Sequence, residues 1–327
     1  MSPAEAQHEA FHACLFGRAG AGRLSLDALA GAAPGEDSLL WVDLLDPGTD
    51  LLDAVWRALR LPAPARAFLE GGTNPALERE AGFFWVRVVA VDGEADPAVG
   101  GNMLALVAGP NLVVSIRRGA LAFIEALRQR DGDAPDLGAL CAESFVAALL
   151  DGQLSTYFRE VTRFEAAIER LEVGVLEDHS QNCLGELRRL RRWASRLRRM
   201  LAPHRDVFGA LSRPDFRAPG TEAERHFAAL DTRFERAMDL VENARELVIG
   251  SFDLFSSQTA LQTHRSMRLL TFVTVITGLL ATVAGVFGMN FQAGVLESAD
   301  AGFWGVVAGM ALFAGGAIAL GRWRRWI

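Results

Sequence analysis

The chain has no lysine, and it is poor in cysteine. All 33 of its basic residues are arginines, which we attribute to codon usage rather than to function. The three cysteines, Cys14, Cys141 and Cys183, lie far apart without a C-x-x-C pair. They indicate neither a disulfide framework nor a zinc knot, and they suit a cytoplasmic domain. A net charge of −7 argues against a nucleic-acid partner.

Signatures of catalysis are also missing. The sequence has no Gly-rich phosphate loop, catalytic triad or cofactor fingerprint, so we expect no enzyme activity and no bound cofactor. One H-E-x-x-H match spans His8 to His12, but a metalloprotease needs this pattern on a stable helix with a third ligand. The match runs into the strand-like residues 13–16, so metal capture by His8 and His12 is only a weak alternative.

Charged residues are absent from two long apolar runs at the C-terminus, residues 269–289 and 302–320. Each has about 20 residues, enough for a helix to cross a hydrocarbon core of roughly 30 Å. A signal peptide would lie at the other end of the chain, where no apolar core follows basic residues. The sequence therefore predicts transmembrane helices at 269–289 and 302–321, joined by an external loop over 290–301.

The charges beside these runs predict their orientation. The flanking basic residues are Arg265, Arg268, Arg322, Arg324 and Arg325. The loop between the runs has no basic residue and carries Glu297 and Asp300. The positive-inside rule places both termini, including the tail 322–327, in the cytoplasm and the loop outside.

The first part of the chain, residues 1–135, reads as a small cytoplasmic α/β domain. Runs of β-branched and aromatic residues bounded by Gly, Pro and Asn predict strands at 39–44, 83–91, 103–107 and 112–116. Helices are predicted at 50–61 and 120–130.

Residues 136–268 are predicted to form a helical stalk. Helices are expected at 137–176, at 182–201 and from Thr221, where a T-x-x-E capping box ends at Glu224, through to Met289. Apolar residues three and four apart predict a packed seam on the last helix, at Phe227, Leu230, Phe234, Ala237, Val241, Ala244 and Val248. The predicted fold class is an α+β cytoplasmic domain, a long-helix stalk and two C-terminal transmembrane helices.

A Gly288-Met289-Asn290 tripeptide ends the first run, Phe291 follows it, and a basic-aromatic tail, 322–326, follows the second run. In this arrangement the chain resembles the CorA family of divalent-cation channels. The Arg-rich helix 187–203 is similar to the ZntB-like branch of that group. The resemblance covers about residues 140–327 well and the first 140 loosely.

The resemblance implies a homopentamer in the bacterial inner membrane, in contact with lipid, with the first span lining the pore. It assigns ion selectivity at the pore mouth to Gly288, Met289 and Asn290. The asparagine carbonyl can hold a hydrated cation through its water shell without a fixed charge. It further implies that the pore is lined by Gly285, Ala281, Gly278, Thr274 and, near the cytoplasm, His264. Met267 and Leu270 would form a hydrophobic gate that closes by dewetting.

Two acidic groups are further candidates. Glu297 and Asp300 could form an external acidic ring that concentrates cations, or they could simply make the loop soluble. Glu246 and Asp253 could sense cytoplasmic Mg²⁺ between subunits, or they could be ordinary solvent-facing charges.

The chain departs from the family pattern at three places. Leu279 stands where a proline is usual, residues 291–297 lack the usual acidic loop sequence, and His264 replaces an asparagine-like residue. These departures affect ion selectivity and gating rather than architecture. We expect a transporter of Mg²⁺, with Co²⁺ and Ni²⁺ as further candidates. The alternatives are a Zn²⁺ transporter of the ZntB type and a two-span membrane-anchored sensor or scaffold.

Overall fold

The structure of the chain is a computed structural model that describes residues 10–17, 20–32, 34–35, 37–91, 101–129, 141–176, 183–216, 221–288 and 299–324. The chain divides into two compact units. The first comprises residues 1–174 and 179–250, and the second comprises residues 175–178 and 251–327.

The first unit contains a seven-stranded sheet. Its strands are β1 (Phe11–Gly17), β2 (Gly20–Arg23), β3 (Ser38–Leu45), β4 (Ala76–Glu80), β5 (Phe83–Ala90), β6 (Asn102–Gly109) and β7 (Leu112–Arg117). The strand order is β2-β1-β3-β7-β6-β5-β4, and β3 and β7 pair in parallel while the other neighbours are antiparallel. The four predicted strands correspond to β3, β5, β6 and β7.

The edge strand β4 differs from a simple hydrophobic pattern. Strand β4 exposes Glu78, Arg79 and Glu80 at the sheet edge, where charged side chains discourage pairing with another chain.

His12 lies in strand β1 and not on a helix, so the H-E-x-x-H match lacks the helix that a metalloprotease requires. His8 and Glu9 lie outside the described residues.

The helices follow the predicted order with two additions. They are α1 (Thr49–Leu59), α2 (Ala63–Glu70), α3 (Ala122–Gln129), α4 (Ala142–Leu176), α5 (Cys183–Leu201), α6 (Arg205–Leu211), α7 (Glu222–Phe287) and α8 (Ala299–Trp323). The short helices α2 and α6 were not predicted. Helix α5 does not continue past Pro203, because a 3-10 turn over Ala202–His204 interrupts it at the proline.

The predicted seam of α7 is buried along its whole length. Its seven residues are all at most 3% exposed, from Phe227 to Val248. Phe234 stacks on Phe208 of α6, with ring centroids 5.2 Å apart. Burying an aromatic or large aliphatic side chain of this kind stabilises the folded chain by about 1.5–3 kcal/mol. At the start of α7, Thr221 Oγ1 accepts the Glu224 backbone N–H at 3.2 Å, which confirms the capping interaction.

A buried ion pair attaches α3 to the parallel strands. Arg117 of β7 donates to Asp43 of β3 at 3.1 Å and to Glu125 of α3 at 2.6 Å. Ser115 Oγ donates to the other Asp43 oxygen at 2.7 Å. Burial raises the pKa of Asp43, while the Arg117 guanidinium acts in the opposite direction. Removing Arg117 would leave the buried Asp43 with only the longer ionic contact to Arg128, 3.8 Å away, and breaking a buried ion pair in this way typically costs about 3–5 kcal/mol.

A second buried polar cluster ties strand β5 to the helices. The Val89 N–H donates to His204 Nε2 at 2.9 Å. The Val89 carbonyl accepts from Gln153 Nε2 at 2.6 Å and from the Tyr157 hydroxyl at 3.0 Å. His204 Nδ1 lies 3.1 Å from the Leu201 carbonyl, so Nδ1 carries the proton and Nε2 accepts. Burial lowers the pKa of His204 to about 4 from its ordinary value of 6.5.

This pKa shift predicts loss of stability in acid. The unfolded chain binds the His204 proton below about pH 6.5, whereas the folded chain binds it only near pH 4. The contribution is therefore complete above pH 6.5 and is lost as the pH falls towards 4, a total of about 3 kcal/mol at 1.36 kcal/mol per pKa unit. His204→Leu removes this proton linkage and leaves the Val89 N–H unpaired, which costs about 1–3 kcal/mol at neutral pH.

The test is denaturant unfolding of the full chain in detergent between pH 7.5 and 4.5. We expect the stability difference between the natural chain and His204→Leu to narrow steadily as the pH falls. A difference that stays constant over this range would show that His204 does not carry the buried neutral imidazole described above.

The second unit contains the C-terminal part of α7 and helix α8. Both helices are long and apolar enough to cross a membrane, with the second candidate span at Gly302–Trp323. Within this unit, α7 and α8 border an apolar groove. Its lining residues are Leu279, Leu280, Val283 and Phe287 of α7 and Val306, Gly309, Met310 and Phe313 of α8.

Candidate ion-conduction face

Among the residues that the structure describes, one face of α7 carries all but one of those that the sequence assigned to the pore lining, the gate and the start of the pore mouth. Steps of four and three residues alternate without a break from Asp253 to Gly288. The residues in this register are Asp253, Ser257, Ala260, His264, Met267, Thr271, Thr274, Gly278, Ala281, Gly285 and Gly288. We call this set the α7 seam. An unbroken heptad spacing keeps one side of a long helix facing a common axis when several helices pack together.

All eleven residues of the α7 seam are exposed in the single chain. Most are glycine, alanine, serine or threonine, which let neighbouring helices approach closely in a membrane. The largest apolar residue in the seam is Met267, whose side chain is 60% exposed. A membrane helix with a continuous small and polar face is suited to contact other helices or water rather than lipid chains.

The α7 seam points away from α8. At about 100° per residue, the seam residues within the apolar run lie about 180° around the helix from the residues that line the groove with α8. Helix α8 thus lies beside the bulky apolar side of α7, where Leu279, Val283 and Phe287 are still 39–50% exposed. The small and polar side remains uncovered in the single chain.

Threonine hydroxyls in the seam are oriented by the helix backbone. Thr271 Oγ1 donates to the Met267 carbonyl and Thr274 Oγ1 to the Leu270 carbonyl, each at 2.8 Å. Because each hydroxyl has a single hydrogen, the lone pairs left over can only accept. A hydrated cation presents the O–H groups of its water shell, so hydroxyls of this kind can hold it without displacing that shell.

The proposed gate residues stand at the N-terminal end of the first apolar run. Met267 belongs to the α7 seam, whereas Leu270 precedes the seam residue Thr271 by one position. Leu270 is 67% exposed, so nothing in the single chain covers it. The role of both residues as a constriction stays a prediction.

The predicted pore mouth falls largely outside the described residues. Gly288 closes α7, with its N–H donating to the Ala284 carbonyl at 2.9 Å. Met289, Asn290 and Glu297 are outside the described part of the chain. Helix α8 begins at Ala299, so the backbone of Asp300 lies in its first turn, although residue 300 had been assigned to the loop.

The two candidate regulatory acids, Asp253 and Glu246, follow the same heptad spacing along α7. Asp253 begins the α7 seam and Glu246 stands seven residues earlier, and both side chains are exposed. Among the described residues of the single chain, no three His, Cys, Asp or Glu side chains are grouped so that they could hold a metal ion. A metal site on this face would need ligands from more than one chain.

Comparison with known proteins supports the assignment of this chain to a family of cation transporters. The family model described as "CorA-like Mg2+ transporter protein" matches residues 36–320. The cobalt/magnesium transport protein CorA of Methanocaldococcus jannaschii is 23% identical over 275 residues, which cover 83% of this chain and 86% of that protein. The CorA protein of Thermotoga maritima is 28% identical over 151 residues, but these cover only 46% of this chain and 43% of that protein.

Solved structures show the same fold. The complete structure of the Methanocaldococcus jannaschii CorA magnesium transporter superposes with a TM-score of 0.73 at 21% identity, covering 97% of this chain and 99% of that one. The ZntB cytoplasmic domain from Vibrio parahaemolyticus gives a TM-score of 0.61 at 11% identity over 77% of this chain and 99% of that one. Because the family model matches residues 36–320, which include five of the seven strands and nearly all of both apolar helices, the chain belongs to the CorA-like Mg²⁺ transporter family.

Proposed function

We propose that this chain is one subunit of an oligomeric channel that carries divalent cations, with Mg²⁺ as the main substrate and Co²⁺ and Ni²⁺ as further ones. The observation that carries the proposal is the α7 seam, a small and polar membrane face that is exposed in the single chain and turned away from α8. Two spans cannot enclose a polar path, so several copies must bring their seams together around it. The family resemblance suggests five copies.

The proposed path has a selective mouth and an apolar constriction. Asn290 receives the hydrated ion outside, where Glu297 and Asp300 concentrate cations by their charge. Met267 and Leu270 form an apolar ring that stops conduction when it loses its water. Inward flow is downhill, because a doubly charged ion gains about 4.6 kcal/mol per 100 mV, from about 2.3 kcal/mol per charge.

The cytoplasmic end of the path offers a regulatory site. Asp253 on the α7 seam and Glu246 seven residues earlier would approach their counterparts at subunit contacts. Carboxylate oxygens are ligands that Mg²⁺ prefers. Bound Mg²⁺ would join the acidic faces when the cytoplasmic concentration is high, and its loss would let them repel one another.

An ion-flux panel tests the proposal. The purified full chain is reconstituted in liposomes, and uptake of Mg²⁺, Co²⁺, Ni²⁺ and Zn²⁺ is measured under an inside-negative potential. We expect Mg²⁺ uptake that rises with the potential. Uptake of Zn²⁺ alone would support the ZntB-type alternative, and vesicles that take up none of the four ions would support a sensor or scaffold.

Membrane orientation gives a separate prediction. With the native cysteines replaced by alanine, a cysteine at Ser298 should react with an impermeant thiol reagent added outside intact bacterial cells. A cysteine at Ser257, on the cytoplasmic side of the first span, should react only after the cells are opened. The reason is the five arginines that flank the spans against none in the loop. Labelling of Ser257 but not of Ser298 from outside would reverse the topology and remove the external role of Asn290.

A further inference from the structure

His264 is a metal-ligating side chain placed on the α7 seam close to the proposed constriction. It is exposed, and it precedes Met267 by three residues, about one turn. Asp253 is the other titratable residue of the seam, but eleven residues of helix place it about 16 Å away. Within one chain, the two side chains cannot bind the same ion, because ligand distances are about 2 Å.

We propose that the His264 imidazoles of neighbouring copies form a ring that binds Zn²⁺, and that this ring distinguishes Zn²⁺ from Mg²⁺. Imidazole nitrogen is a preferred ligand for Zn²⁺, whereas Mg²⁺ takes oxygen ligands and gives up its water reluctantly. The inference rests on the proposed oligomeric pore. One chain supplies one imidazole at this level, and symmetry repeats it around the axis.

The charged residues next to His264 are positive, so a metal ion can be bound there only by coordination to the imidazole nitrogen. Arg265 and Arg268 are exposed neighbours of His264 on the helix, and neither belongs to the seam. Their positive charges disfavour the accumulation of any cation at this level. A metal is therefore retained here by bonds to imidazole nitrogen, not by the local field. Mg²⁺ passes the ring in its water shell, while Zn²⁺ exchanges water for nitrogen and stays.

The first experiment measures metal binding without transport. Zn²⁺ is titrated into the purified full chain, freed of any tag, by calorimetry at pH 7.5, and the same titration is made with His264→Asn. We expect fewer than one Zn²⁺ per chain at this site, and a loss of affinity of about tenfold or more in the variant. His226→Asn is the matched control. His226 also lies on α7 but off the seam, in the first unit, where its Nδ1 lies 3.1 Å from Ser144 Oγ.

The second experiment measures inhibition of Mg²⁺ uptake by Zn²⁺ in liposomes. With inhibition expressed relative to each variant's own Mg²⁺ uptake in the absence of Zn²⁺, His264→Asn should raise the half-inhibitory Zn²⁺ concentration about tenfold or more, while His226→Asn leaves it unchanged. Equal Zn²⁺ affinity in the natural chain and His264→Asn, or one Zn²⁺ per chain at this site, would overturn the ring. If the natural chain carries no Mg²⁺, the proposed function fails, but the calorimetric result still decides whether the ring exists.

Discussion

Replacing Asn290 with alanine is expected to reduce Mg²⁺ uptake by reconstituted vesicles to the level of protein-free vesicles, while the oligomer still assembles. Asn290 directly follows the Gly288-Met289 pair at the end of the first apolar run. Its carboxamide oxygen can accept hydrogen bonds from the water shell of Mg²⁺, which the ion gives up reluctantly. Alanine offers no acceptor, so the hydrated ion loses its first binding ring, and every copy in the oligomer carries the same loss.

Gln292→Ala is the matched control for this variant. It removes a carboxamide of the same chemistry two residues further along the chain. Uptake should therefore persist in Gln292→Ala and vanish in Asn290→Ala, with the same assembled fraction of both variants on a sizing column. Uptake by Asn290→Ala at the natural rate would show that the pore mouth does not depend on this side chain.

Long helices and strands could be predicted because the spacing of their apolar residues indicates directly which residues are buried. The buried stripe of α7 from Phe227 to Val248 follows from apolar residues three and four apart, and each of them is buried. The strands with continuous β-branched and aromatic runs, such as β5, were equally readable. Strand β4 was not, because its alternating charges at the sheet edge carry no apolar signal.

Buried polar clusters could not be predicted, because their partners are distant in the sequence. His204 and Val89 are 115 residues apart, and no local pattern links a histidine after one helix to the end of one strand. Asp43 and Arg117 are 74 residues apart and meet only because β3 and β7 pair in parallel. Such contacts follow from topology, which the order of helices and strands does not determine.

The conduction face was only partly predictable. The family resemblance supplied Thr274, Gly278, Ala281 and Gly285, and all four fall on the α7 seam. It also supplied Leu270, whereas the continuous spacing selects its neighbour Thr271. The side of α7 that faces α8 could not be identified from composition, since both sides of the run are free of charge. That side is identified by the groove between α7 and α8.

Two glycines, one on each span, allow added bulk on the proposed ion path to be compared with added bulk on the side that faces lipid. Gly278 lies on the α7 seam, and Gly315 lies on the side of α8 away from its groove with α7. At both positions an added Cβ would meet no atom within 4 Å in the single chain. Phenylalanine at either site therefore causes no clash inside one subunit, and any difference between the variants must arise from what surrounds the subunit.

We expect Gly278→Phe to abolish Mg²⁺ uptake and Gly315→Phe to preserve it. In the first variant, a ring of phenylalanines fills the axis where the seams meet, or keeps the helices too far apart to assemble, since small residues permit close helix contact. In the second variant, the phenylalanines face lipid chains, which accept an aromatic side chain readily. Uptake and assembled fraction are measured for both in the same liposomes. Equal uptake by the two variants would remove the α7 seam from the ion path.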